Sequence, residues 1–184
     1  SAGLHPRLIH ASNSAATAKN LPDYINAVRP GIALYGINTL AKSDPFYNRL
    51  SKLRPALKLI SKIDQIIDLG SGEYVGYNRT YKTSGAQKIA TIPIGYYEGI
   101  PRSLSNKDFV TNGDQLLQTT GTICMNHMMF DCTNTSLKVG ESVTLISNNA
   151  SAPNSIINLR DSYEMFEYSL PVGLQSTVRR RLVG

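Results

Sequence analysis

Residues 56–69 read ALKLISKIDQIIDL. Apolar and polar side chains alternate over much of this stretch, with Leu57, Leu59, Ser61 and Ile63 falling on one face. A period of two is that of a strand with one buried face. Beyond it, Gly70-Ser71-Gly72 makes a turn, and KIATIPI (88–94), DFV (108–110), TICMNHMMFDCT (122–133) and SVTLIS (142–147) read as further strands. Turn signals such as Asn112-Gly113-Asp114 separate them. Helical spacing at Ile157, Leu159, Tyr163, Phe166 and Leu170 predicts a helix over 157–170, and STVRRRLV (176–183) closes the chain as a strand.

Upstream the texture differs. Residues 7–11 (RLIHA) predict a short strand, and Asn13 or Ser14 caps a helix ahead of Ala15-Ala16. Ala27-Val28-Arg29 is a second apolar stretch, stopped by Pro30-Gly31, and Ile32 to Tyr35 opens a helix. The expected organisation is an α/β remnant over residues 1–50 and a mainly β domain over 51–184. The chain opens at Ser1 without a methionine and soon runs from strand to loop, which reads as a start in mid-fold.

A hydrophobic fraction of 41% with 17% charged residues excludes wholesale disorder. The net charge of +6 raises the question of an anionic partner. The charges are scattered except for Arg179-Arg180-Arg181, and no nucleic-acid recognition motif accompanies that run. No nucleic-acid partner is expected, and the run reads as a solvated or phosphate-facing strand. No apolar stretch approaches the ~18–20 residues of a membrane helix, and nothing resembles a signal peptide. Cys124 and Cys132, if both lie on one strand, are separated by roughly 26 Å at about 3.3 Å per residue. A disulfide needs Cα atoms within about 7 Å, so free thiols and a reducing, cytoplasmic compartment are expected. The sequons at Asn78-Arg79-Thr80 and Asn134-Thr135-Ser136 carry no weight in such a compartment.

The run ICMNHMM (123–129) is the densest cluster of soft metal ligands in the chain. On a strand, Cys124 and His127 fall on opposite faces, so no face presents a ligand set. Methionines on a strand fill a core more often than they bind copper. No metal site is expected. Ten tyrosines and no tryptophan are a skewed aromatic choice, and Tyr35, Tyr77 and Tyr96 each sit beside a glycine. Such a tyrosine can be a core residue with a satisfied hydroxyl. It can also be a general acid or base if cations lower its usual pKa of about 10. Arg79 and Lys82 are the cations near Tyr77 in sequence.

Together these pieces resemble the C-terminal half of the bacterial alanine racemases, which use pyridoxal 5'-phosphate. The matching stretches are HASNSAA (10–16), VRPGIALYG (28–36), GYNRTY (76–81), IPIGYYEGIPR (92–102), GTICMNHMM (121–129) and VGESVTLI (139–146), in order along the chain. The resemblance implies the last elements of a TIM-type (β/α)₈ barrel followed by a β-rich C-terminal domain. It implies that Ser14, with the backbone amides of Gly31 and Ile32, holds the cofactor phosphate, as late barrel loops commonly do. It places Arg29 on the pyridine nitrogen. An arginine keeps its proton, so the ring nitrogen stays unprotonated and the ring is a weaker electron sink. That favours return of the proton over transamination.

By the same resemblance, Tyr77 exchanges the Cα proton on the L-alanine side, and a lysine works on the opposite face and holds the cofactor as a Schiff base. Tyr96 and Met125 belong to the substrate pocket, with the Met125 N–H meeting the substrate carboxylate. Tyr77, Tyr96 and Met125 serve the cofactor of the other subunit, which implies a homodimer with shared sites. The implied role is supply of D-alanine for peptidoglycan.

The chain also departs from the family pattern. No lysine here matches the Schiff-base lysine, nor is there a match for the arginine that helps bind the substrate carboxylate. The chain alone is therefore expected to be inactive. Asn126 stands where the family commonly has aspartate. The tyrosine that the family often places beside the phosphate falls on Leu174, or with a small shift on Ser176. A pocket altered there raises the alternative of a serine racemase of the vancomycin-resistance type. A non-catalytic β-domain interaction module is the alternative from another class.

Overall fold

The computed structural model describes residues 5–183. The chain divides at Ala56/Leu57 into two compact units. In the first unit, β1 (His10–Ala11) leads through a tight loop into α1 (Ser14–Thr17), and β2 (Ala27–Val28) leads into a 3₁₀ turn (Ile32–Tyr35). The two strands pair in parallel, His10 opposite Ala27 and Ala11 opposite Val28. Asn13 caps α1 by accepting the Ala16 N–H at 3.0 Å. The expected helix from Ile32 is this single 3₁₀ turn, ended by Gly36 in the left-handed region at φ 76°.

The second unit is built on a seven-stranded antiparallel sheet. Its strands are β3 (Leu59–Lys62), β4 (Gln65–Leu69), β7 (Gln87–Ile92), β8 (Phe109–Asn112), β9 (Gln115–Thr120), β10 (Met128–Asp131) and β11 (Ser142–Ile146). A two-stranded ribbon, β5 (Tyr74–Val75) and β6 (Tyr81–Lys82), lies between β4 and β7 in the chain. The order across the sheet is β3-β11-β8-β9-β10-β7-β4. The alternating stretch 56–69 is thus not one strand but two, and they form the two edges of the sheet. Only Ile63 and Asp64 join them, so the sheet has to curl until its edges come within two residues of each other. Curling protects edge strands that would otherwise expose unpaired backbone. Leu59 and Ile63 face inward as the period-two pattern predicts, and join Ile89, Ile92, Val110, Phe130 and Leu145 in a dry core.

Three further expectations are corrected. The strand expected over 122–133 forms only at Met128–Asp131. Ahead of it the chain turns, with the Cys124 N–H donating to the His127 carbonyl at 2.9 Å. The single helix expected over 157–170 is two, α2 (Ile156–Tyr163) and α3 (Ser169–Gly173). Glu164 breaks it by taking a left-handed conformation at φ 49°. The strand expected over 176–183 is not formed; Arg180 folds back and donates to the carbonyl of Leu174 at 2.9 Å. No helix among the described residues is long and apolar enough to cross a membrane.

Candidate active site

Because β1 and β2 run in parallel, the loops that follow them leave from the same end. The Arg29 N–H donates to the Ser12 carbonyl at 2.9 Å and locks the two loops together. Ser14, 3% exposed, then lies under the turn after β2. Its Oγ accepts the N–H groups of Gly31 at 2.9 Å and Ala33 at 3.1 Å. These amides converge at the C-terminal ends of parallel strands, where backbone N–H groups commonly meet phosphate, and here they are held by Ser14 Oγ. Ser14, Gly31 and Ile32 are therefore neighbours, as the sequence leads one to expect.

Arg29 follows β2 directly. Its Nη1 lies 2.6 Å from His10 Nδ1 and also donates to the His10 carbonyl at 3.1 Å. A guanidinium only donates, so Nδ1 accepts and the ring proton sits on Nε2. His10 is a residue that the sequence reading missed. Its signal was available only through the pairing of β1 with β2, which sets it opposite Ala27, two residues before Arg29. The donor set of this unit fits a group with a phosphate at one end and an acceptor atom facing a fixed cation.

In the second unit, Tyr77 follows Gly76, whose φ of 72° with ψ of −174° suits glycine alone. Asn78 and Arg79 then take left-handed conformations at φ 62° and 52°. Consecutive residues there are strained, and such strain concentrates at functional positions. Side chains behind the turn hold it in place. Thr122 Oγ1 donates to the Tyr77 carbonyl at 3.0 Å and lies 3.1 Å from Thr80 Oγ1. Asn106 donates to Thr80 Oγ1 at 3.1 Å. The Tyr77 side chain is 67% exposed and borders a groove of about 400 Å³, lined also by Ile67, Tyr74, Val75, Cys124 and Met129. Arg79 and Lys82, the nearest cations in sequence, stack instead on the ring of Tyr74, 5.1 and 5.5 Å from its centroid.

Tyr96 and Met125 lie on two loops that cross at van der Waals distance. The N–H groups of Tyr96 and Tyr97 donate to the carbonyls of Cys124 and Met125 at 3.0 and 2.9 Å. A Cβ on Gly95 would stand 2.2 Å from the Cys124 oxygen, so only glycine permits this crossing. Both Tyr96 and Met125 are about half exposed. The loop that carries Met125 also carries Thr122, which holds Tyr77; one turn therefore positions all three expected residues. Burial pushes the Cys124 thiol above its ordinary value, with Arg102 acting in the opposite direction. A protonated, half-buried thiol packs rather than attacks.

Residues 56–182 match the family model of the alanine racemase C-terminal domain, and residues 1–39 match that of the alanine racemase N-terminal domain. An alanine racemase of Clostridium perfringens is 39% identical over 145 residues, covering 78% of this chain and 37% of that protein. The solved alanine racemase of Bacillus anthracis with bound L-Ala-P superposes with a TM-score of 0.80 at 31% identity, over 94% of this chain and 44% of that one. That of Bartonella henselae with covalently bound pyridoxal phosphate gives 0.74 at 28% identity, over 93% and 45%. The chain thus spans less than half the length of these relatives. By its sequence and by the fold of its curled sheet, this chain belongs to the alanine racemase family.

Proposed function

We propose that this chain is the C-terminal part of a bacterial alanine racemase that uses pyridoxal 5'-phosphate to interconvert L- and D-alanine in the cytoplasm, supplying D-alanine for peptidoglycan. The observation that carries the reading is the grouping at the ends of β1 and β2, where strand pairing brings together a buried serine, the turn amides bonded to it and an arginine braced by His10. When bound, the cofactor draws electrons from the amino acid and acidifies its Cα–H. Ser14 and the amides of Gly31 and Ile32 would hold its phosphate, the Gly31 N–H exchanging its bond to Ser14 Oγ for one to a phosphate oxygen. Arg29 would donate to the pyridine nitrogen, and His10 would keep the guanidinium from swinging away.

Tyr77 would take the proton from, or return it to, one face of Cα. The residues at positive φ on either side of it, and the bond to its carbonyl, keep the phenol aimed while leaving it exposed to a ligand. Tyr96 would line the substrate pocket and the Met125 N–H would meet the carboxylate. Inversion needs a second base on the opposite face, and no residue of this chain is assigned to it. The matching share of the relatives supports a longer enzyme that supplies that lysine. The second unit would serve the cofactor of a partner subunit, so the active unit would be a homodimer.

The test is production of D-alanine from L-alanine by the full-length protein, with pyridoxal absorbance recorded on the same sample. Tyr77→Phe is expected to lower turnover at least ~100-fold, the low end for loss of a general acid–base group. A clear preference for L-serine would replace the substrate. Absence of pyridoxal absorbance would favour a binding module. Racemisation by the 184-residue chain alone would overturn the assignment of the second base.

A further inference from the structure

The loops carrying Tyr96 and Met125 are joined along one side by main-chain bonds. On the other side a single carboxylate joins them. Glu98 Oε2 accepts the Gly95 N–H at 2.7 Å, and Glu98 Oε1 accepts from Asn126 Nδ2 at 2.8 Å. We propose that Glu98 and Asn126 are a positioning pair that fixes Tyr96 against Met125 and so sets the affinity for a small amino acid; this rests on the racemase reading above. An ionised carboxylate only accepts hydrogen bonds. Each of its oxygens is used here by one donor, and the two donors come from the two loops. In this chain, where Glu98 is the acceptor, residue 126 donates, which asparagine can do and the ionised aspartate common in the family cannot.

An aspartate at 126 would face a second carboxylate at hydrogen-bond distance. Two such groups either repel or share a proton with a raised pKa. Asn126→Asp should then open the clamp at neutral pH and close it again at lower pH. Glu98→Gln combined with Asn126→Asp keeps both bonds and reverses only the one to residue 126: the glutamine oxygen still accepts from Gly95 and its amide donates to the aspartate. Glu98→Ala removes both bonds. No charged group other than Glu98 is hydrogen-bonded to Asn126 among the described residues.

Hydrogen exchange on the full-length protein reads the clamp independently of turnover. The amides of Tyr96 and Tyr97 should exchange about 5-fold faster in Asn126→Asp at neutral pH, in keeping with loss of a charge-assisted bond at an exposed site. The double variant should return to within about 2-fold of the parent. In the full-length enzyme, Asn126→Asp should raise KM for alanine about 5- to 10-fold with a smaller change in kcat, and the double variant should restore it. Parental exchange rates in Asn126→Asp, or a double variant as impaired as the single one, would overturn the proposal. Altered exchange without altered KM would remove the substrate role. If the full-length parent does not racemise alanine, the racemase reading and the substrate role fail together, and the exchange arm still decides the clamp.

Discussion

Ile63 and Asp64 are adjacent residues bonded to opposite ends of one sheet. The Ile63 N–H donates to the Glu141 carbonyl, next to β11, and the Asp64 N–H donates to the Thr91 carbonyl of β7, each at 2.9 Å. Gly140 N–H returns a bond to the Ile63 carbonyl at 2.8 Å. One peptide bond thus serves as the seam of the curled sheet, and the Ile63 side chain is 1% exposed at that seam.

Ile63→Ala is expected to lower stability by about 2–5 kcal/mol, the range for emptying a packed site of this size. Chemical denaturation of the chain would check it. Ile60, on β3 and 52% exposed, should cost under ~1 kcal/mol as alanine.

Asp108 makes stability depend on pH. It is 3% exposed, and burial pushes its carboxyl up to about 7, partly offset by the Phe109 N–H at 2.7 Å. The nearby Tyr163 phenol is raised by its own burial and then by the Asp108 charge. The ordinary value is 3.8, so the folded state binds more protons than the unfolded state between about 4 and 7. Stability is therefore greatest at the acid end of that window and falls as pH rises towards 7, by a few kcal/mol at about 1.4 per unit. Asp108→Asn keeps the acceptor for Phe109 and should flatten this slope. Thermal unfolding of both proteins from pH 4 to 8 measures it.

Much of the second unit is legible from local pattern, because its strands bury one face and so alternate. Leu59 and Ile63 point inward as that alternation requires. The break at Ile63–Asp64 is not legible, since nothing local distinguishes one long strand from two that pair with different partners. The turn at residues 124–127 is hidden for a related reason. Its apolar side chains look like strand, while the cause of the turn, the close passage of Gly95, lies about thirty positions away. Glu164 ends α2 in a left-handed conformation without the glycine that usually signals one. In the candidate site, motif residues such as Ser14 and Arg29 can be named from sequence. Their supports, His10 and Thr122, come from strand pairing and loop contact and need the structure.

Gly95→Ala should separate the Tyr96 and Met125 loops, because the new methyl would meet the Cys124 and Met125 oxygens at 2.2 and 2.5 Å. The expected loss is at least ~1–3 kcal/mol, as for overpacking elsewhere. Gly85→Ala is the control. Nothing lies within 4 Å of a Cβ there, so the change should be neutral or stabilise by up to about 1 kcal/mol. Equal effects at the two positions in thermal unfolding would refute this account of the crossing.

Thr122→Val tests how Tyr77 is held. The hydroxyl of Thr122, a residue only 6% exposed, donates to the Tyr77 carbonyl and meets Thr80. Valine matches the shape but leaves the Tyr77 carbonyl without that donor, at a cost of about 1–2 kcal/mol in stability. In the full-length enzyme the larger effect should be on turnover, with kcat down about 10-fold as the phenol loses its aim. If Thr122 acts only through Tyr77, adding Thr122→Val to Tyr77→Phe should lower kcat no further, because the aimed group is already gone. Additive losses in kcat/KM would instead mean that Thr122 shapes the Met125 loop independently, and the positioning of Tyr77 would have to be assigned to Asn78 and Arg79 alone.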